Sequence, residues 1–77
     1  KVHPVKKFES LAEAQVYFLA SLPNVGREKA VTLLRAYRTP MRALERVEAW
    51  ARELRGFGPK IVERVKAVLN TPYGADE

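Results

Sequence analysis

A chain of 77 residues carries 14 Lys and Arg against 9 Asp and Glu, giving a net charge of +5 and a pI near 9.9. It has no cysteine and a single histidine, His3, which excludes disulfide scaffolds, thiolate zinc sites and imidazole metal clusters. Its apolar runs fall far short of the roughly 20 residues a membrane span needs, and no signal or transit segment is visible, so an intracellular setting (cytoplasm or nucleoid) is expected.

Residues 1–9 begin with Lys1, include Pro4, and read as a linker remnant from a longer polypeptide. Ser10-Leu11-Ala12-Glu13 has the S-x-x-E form of a capping box. Leu11, Ala14, Phe18, Leu19 and Leu22 follow at helical spacing, until Pro23 and Asn24 stop the first helix. A second helix starts near Gly26 or Arg27 and is expected to bury Ala30, Leu33, Leu34 and Tyr37. Thr39-Pro40 supplies an N-cap with proline at the first helical position. From Met41 to Leu54 the apolar spacing fits either one helix or two short ones bent near Val47-Glu48. The last helix begins at Gly58-Pro59, places Ile61, Val62, Val65, Val68 and Leu69 on one face, and ends at Asn70-Thr71-Pro72. Tyr17, Phe18 and Trp50 are expected in the core. No alternating strand pattern occurs, so the fold class is all-α: five short helices over residues 10–70, with a tail over 71–77.

Two stretches repeat. Leu22, Val25 and Gly26 of LPNVGREKA stand 32 residues before Leu54, Phe57 and Gly58 of LRGFGPKIV. Each copy reads helix, tight turn, helix. Asn24 and Gly56, the residue types most tolerant of positive φ, occupy the same turn position. Val25 and Phe57 would turn inward and pin the helices. Gly26 and Gly58 leave the backbone bare where the next helix starts, and free amides there at the positive end of the dipole attract an anion. A plain helix–helix turn also uses glycine without any ligand, but two copies with basic flanks favour a phosphate. The candidate contacts are Asn24, Val25, Gly26, Arg27, Lys29, Arg55, Gly56, Phe57, Gly58 and Lys60. Basicity gathers near the first copy, where residues 22–38 hold a surplus of three positive charges while residues 56–77 sum to zero. Arg35, Arg38, Arg42 and Lys66 read as solvated helix faces.

At these residues the sequence resembles the helix-hairpin-helix motif, and the doubled copy resembles a tandem (HhH)2 domain from Ser10 to Leu69. The second copy fits the G-h-G-x-K form through Gly56, Phe57, Gly58 and Lys60; the first departs from it, with Asn24 for the leading glycine and Glu28 in the place of Lys60. Lys29, one residue along, is the substitute. LASLPNVGREKAVTLLRAY, LRGFGPKIVERVKAVL and the ending LNTPY make the segment most similar to the C-terminal domain of an archaeal XPF-type structure-specific endonuclease.

That resemblance implies non-sequence-specific contact with the phosphates of double-stranded or branched DNA, a role in DNA repair, and a homodimer. In such domains an aromatic beyond the last helix enters a cavity of the other subunit, and Tyr73 after Pro72 matches it; a tail aromatic can also cover its own core. Phe18 and Trp50 are the other candidates for the dimer surface. The nuclease motif of the family, whose carboxylates hold Mg²⁺ in a separate N-terminal domain, does not occur here. Glu45, Glu48 and Glu53 alternate with Arg42, Arg46 and Arg52 and read as surface charge pairing along a helix. The expectation is a binding module with no catalytic residue, metal ligand or cofactor of its own. The competing readings are the same fold in another repair protein, such as a UvrC-type excision nuclease, and a helical protein-interaction module without DNA binding.

Overall fold

Ser10 caps the first helix as its sequence suggests: its Oγ accepts from the Glu13 amide at 3.1 Å. From there the computed structural model, which describes residues 10–75, is built of α1 (Leu11–Ala20), α2 (Gly26–Tyr37), α3 (Pro40–Glu45), a 3₁₀ turn (Val47–Ala49), α4 (Trp50–Glu53) and α5 (Pro59–Asn70). Five α-helices and no strand occur among the described residues, so the fold is all-α, and none of these helices is long and apolar enough to cross a membrane. The linker remnant expected over residues 1–9, and the last two residues of the tail, lie outside the described part.

α1 packs on α2, α3 packs on α2, and α5 packs on α4 and the 3₁₀ turn. The two packed pairs share one core. Val25, Ala30 and Leu33 are buried in the first half, and Phe57, Val62 and Val65 are buried in the second. Each of the first three stands 32 residues before its counterpart, so the repeat seen in the sequence is also a repeat of burial. Trp50, Leu19, Leu33 and Val65 are fully enclosed. Trp50 closes the centre. Its ring meets Phe57 edge-on with centroids 5.4 Å apart, and its indole N–H donates to the Ala43 carbonyl at 2.8 Å. A buried indole donor without a partner would be costly, and this bond also explains the chain path. Ala43 gives the indole the carbonyl that a continuous helix would offer to the Val47 amide. The helix breaks at Arg46 (φ −103°, ψ 19°) and resumes as 3₁₀ and then α4. Of the two paths open in the sequence, the chain takes the interrupted one.

Several apolar residues expected inside are outside. Leu11 is 79% exposed, and Tyr17 and Phe18 are about half exposed. α1 lies chiefly against α2, so it buries Leu19 fully and Val16 and Ala20 in part. Val68 and Leu69 at the end of α5 are also exposed. α5 has 12 residues, about 18 Å of helix, whereas four-residue α4 covers only its beginning. The final turn therefore extends past the core.

Candidate nucleic-acid interface

The two turns share their left-handed residue. Asn24 has φ 63° and Gly56 has φ 85°, and the next residue in each, Val25 or Phe57, is buried as expected. The following glycines then differ. Gly26 takes φ 69°, whereas Gly58 is extended, with φ −89° and ψ 168°. Pro59 is the cause: a residue before proline is driven out of the helical region toward extended backbone, and Arg27 imposes no such restriction on Gly26. A Cβ at either glycine would meet nothing within 4 Å, so neither is required by packing. The difference gives a clean expectation. Gly26→Ala should lower stability by about 1–2 kcal/mol through left-handed strain, while Gly58→Ala, unstrained but at the N-cap of α5, should cost less, about 0.5–1 kcal/mol. Urea denaturation of the two variants checks this.

Helix starts also divide into two kinds. Ser10 caps α1, and Thr39 caps α3 by accepting from the Arg42 amide at 3.1 Å. α2 and α5, which follow the turns, receive no side-chain cap, nor does α4, which continues from the 3₁₀ turn. The first-turn amides of α2 and α5 stay open at the positive end of the dipole. Glu28 places a carboxylate in the first turn of α2, whereas α5 has no acidic residue there. The second start is the more electropositive.

Arg27, Arg55 and Lys60 flank the turns on the exposed surface. Lys29 is half-buried and crosses to the opposite unit, its Cε 4.0 Å from where a Cβ on Gly56 would lie. In return, Asn24 borders a small cavity of about 130 Å³ with Lys60, Ile61 and Arg64 of α5. Lys29 and Ile61 are 32 residues apart, as are Asn24 and Gly56. Each unit thus lays the same part of its second helix beside the other unit's turn, an approximate two-fold arrangement. Asn24 and Lys29 of the first copy meet Gly56 and Lys60 of the second on this seam, whereas Arg27 lines a separate cavity with Ser10, Ala12, Glu13 and Val16. Arg64 joins the seam and was missed, although its position four residues after Lys60 put it one helical turn along the same face.

Ion pairing separates these cations from the rest. Among the described residues, Lys66 approaches Glu48 at 3.6 Å and Glu63 at 3.9 Å, and Arg46 meets Glu53 at 2.7 Å. Arg27, Lys29, Arg55, Lys60 and Arg64 enter no such pair. The pairing expected along one helix instead links different elements: Glu48 reaches α5, and Glu53 joins Arg46 across the helix break. The Tyr37 hydroxyl donates to Glu53 Oε1 at 2.7 Å. That hydroxyl, with Arg46 beside it, holds the Glu53 carboxyl below its ordinary range; burial and Glu53 push the Tyr37 phenol up. A lowered carboxyl adds stability that is present above its unfolded pKa and is lost as pH falls through the folded one. Wild type should therefore exceed Glu53→Gln in urea midpoint at pH 7, and the gap should close as pH falls below the ordinary carboxylate range.

The three residues suggested for a dimer surface have different places. Tyr73 is fully exposed at 102%, so it covers none of its own core, and Phe18 is half exposed. Trp50 is sealed inside the chain, where it cannot touch a partner without unfolding. No three His, Cys, Asp or Glu side chains converge among the described residues. Comparisons with protein-family models, curated proteins and solved structures returned no match.

Proposed function

We propose that this chain is a DNA-binding and dimerisation module, a tandem helix-hairpin-helix domain of an XPF-like structure-specific endonuclease acting in DNA repair. The observation that carries this reading is a coincidence repeated in both halves. Both long helices that follow the repeated turns, α2 and α5, start without a side-chain cap, and basic side chains outside every ion pair among the described residues stand beside both. Open amides bind phosphate oxygens at a helix start, and Arg27, Lys29, Arg55 and Lys60 add charge without reading sequence. Mg²⁺-dependent cleavage would belong to a catalytic domain N-terminal to this module, whose own task is to hold duplex DNA beside the junction. Leu11 and Phe18 on α1, with Val68, Leu69 and Tyr73 at the other end, are apolar surface that supports a homodimer.

The test is fluorescence anisotropy of this chain with labelled blunt duplex at 50 and 200 mM salt. Phosphate gripping predicts affinity that falls steeply with salt as counterions are released. If no duplex binds even at low salt, the exposed apolar residues favour the alternative of a protein-interaction module. Sedimentation of the same sample measures the dimer independently.

A further inference from the structure

The corner where α2 meets α3 carries a second group of arginines. Arg38, Arg42 and Arg46 line one open cavity of about 340 Å³ with Ala36, Tyr37 and Glu45. Arg38 follows Gly26 by 12 residues, so the helical rise sets it about 18 Å along α2 from the first turn. Two independent features single out this corner. Arg38 ends α2 with φ 77° and ψ −37°, a backbone that glycine adopts without steric conflict and arginine does not. Backbone strain of this kind clusters at binding and active sites. The second feature is charge. Glu53 occupies Arg46, and with the Tyr37 hydroxyl it braces one wall of the cavity. Arg38 and Arg42 enter no ion pair among the described residues. Among the described residues, Glu45 is the one acid lining the cavity, and it opposes an anion there.

Two open guanidinium groups match the forked geometry of paired anionic oxygens, as on a phosphate. We propose that this corner is a second phosphate site, at which Arg38 and Arg42 hold the backbone of a second nucleic-acid arm while the turns hold the first. The two-arm assignment rests on the turns being phosphate grips; the anion chemistry of the corner does not.

The arginine Nε–H resonances of the whole chain, titrated with inorganic pyrophosphate, test the corner alone. Arg38 and Arg42 should shift saturably, in wild type and in Lys60→Gln alike, and Glu45→Gln should tighten the titration. Anisotropy with a duplex bearing a single-stranded arm, and with a blunt duplex, then tests the second arm. Arg38→Gly/Arg42→Gln should reduce the salt slope for the branched substrate by about 1.4, near 0.7 per lost contact to a single strand, and leave the blunt duplex unchanged. Arg38→Gly alone should melt higher than wild type, because glycine relieves the backbone, so lost binding cannot be ascribed to misfolding. Equal losses on both substrates, or no loss on either, would overturn the second arm. Unmoved Arg38 and Arg42 resonances would overturn the site. Failure of the turns looks different: the blunt duplex does not bind, yet pyrophosphate still moves both arginines.

Discussion

Trp50→Ala should remove a large part of the chain's stability. Removing a buried aromatic to alanine costs about 3–5 kcal/mol. At roughly 0.05–0.15 kcal/mol per residue, a domain of this length has about 4–12 kcal/mol in all, so the loss takes most or all of the lower part of that range. Trp50 exceeds a generic core aromatic because it serves three elements at once. It fills the centre with no exposure, meets Phe57 of the second turn, and fixes the helix break through the Ala43 carbonyl. Truncation leaves a cavity and also removes the indole donor, leaving that carbonyl only the Arg46 amide at 3.2 Å. Trp50→Phe keeps a ring but loses the donor, and should cost less, about 1–3 kcal/mol. Far-ultraviolet circular dichroism with a urea titration measures both. A Trp50→Ala chain with a wild-type midpoint would mean that the two halves are held together by something else.

Arg55→Gln/Lys60→Gln abolishes most duplex binding while leaving the melt unchanged. Both side chains are exposed and outside every ion pair among the described residues, so their loss should alter stability by less than about 0.5 kcal/mol. Each lost phosphate contact should weaken binding about tenfold or more, through a charge-assisted hydrogen bond of about 1.5–3 kcal/mol. The salt slope should fall by about 1.8 for the pair. Lys66→Gln is the internal control: its ammonium is shared between Glu48 and Glu63, and binding should stay within about twofold. The two copies should also be unequal. Arg27→Gln/Lys29→Gln should cost less than the second-copy pair, because Glu28 already places negative charge at the start of α2. Glu28→Gln should tighten binding for the same reason. Equal losses for Lys66→Gln and Lys60→Gln would reduce the interface to diffuse charge.

Turn chemistry and helix punctuation were legible in the sequence. Proline and glycine marked the limits of α5, Ser10 and Thr39 marked their caps, and the 32-residue offset paired Asn24 with Gly56 before any coordinates. These signals are local, set by allowed backbone angles and by which amides a nearby side chain can reach. The exposed faces of α1 and α5 were not legible. Periodicity says which residues share a stripe, but not how far a neighbouring helix runs along it, and α4 proves too short to cover Val68 and Leu69. The helix break after Glu45 depends on a tertiary bond from an indole seven residues away. Within the candidate interface, the turn residues and flanking cations could be named from spacing alone. That Lys29 lies beside the opposite turn, and that Arg64 borders Asn24, follows only from how the two copies face one another.

The position of Trp50 has an optical consequence. It is the only tryptophan in the chain, so near-ultraviolet excitation at its red edge yields emission from a single, dry location. Its ring touches Phe57, the residue that anchors the second turn, and water is excluded on every side. Short-wavelength emission therefore reports an assembled centre, and a red shift reports solvent entering between the halves. Without any attached dye, the chain carries a built-in gauge of whether its second turn is seated.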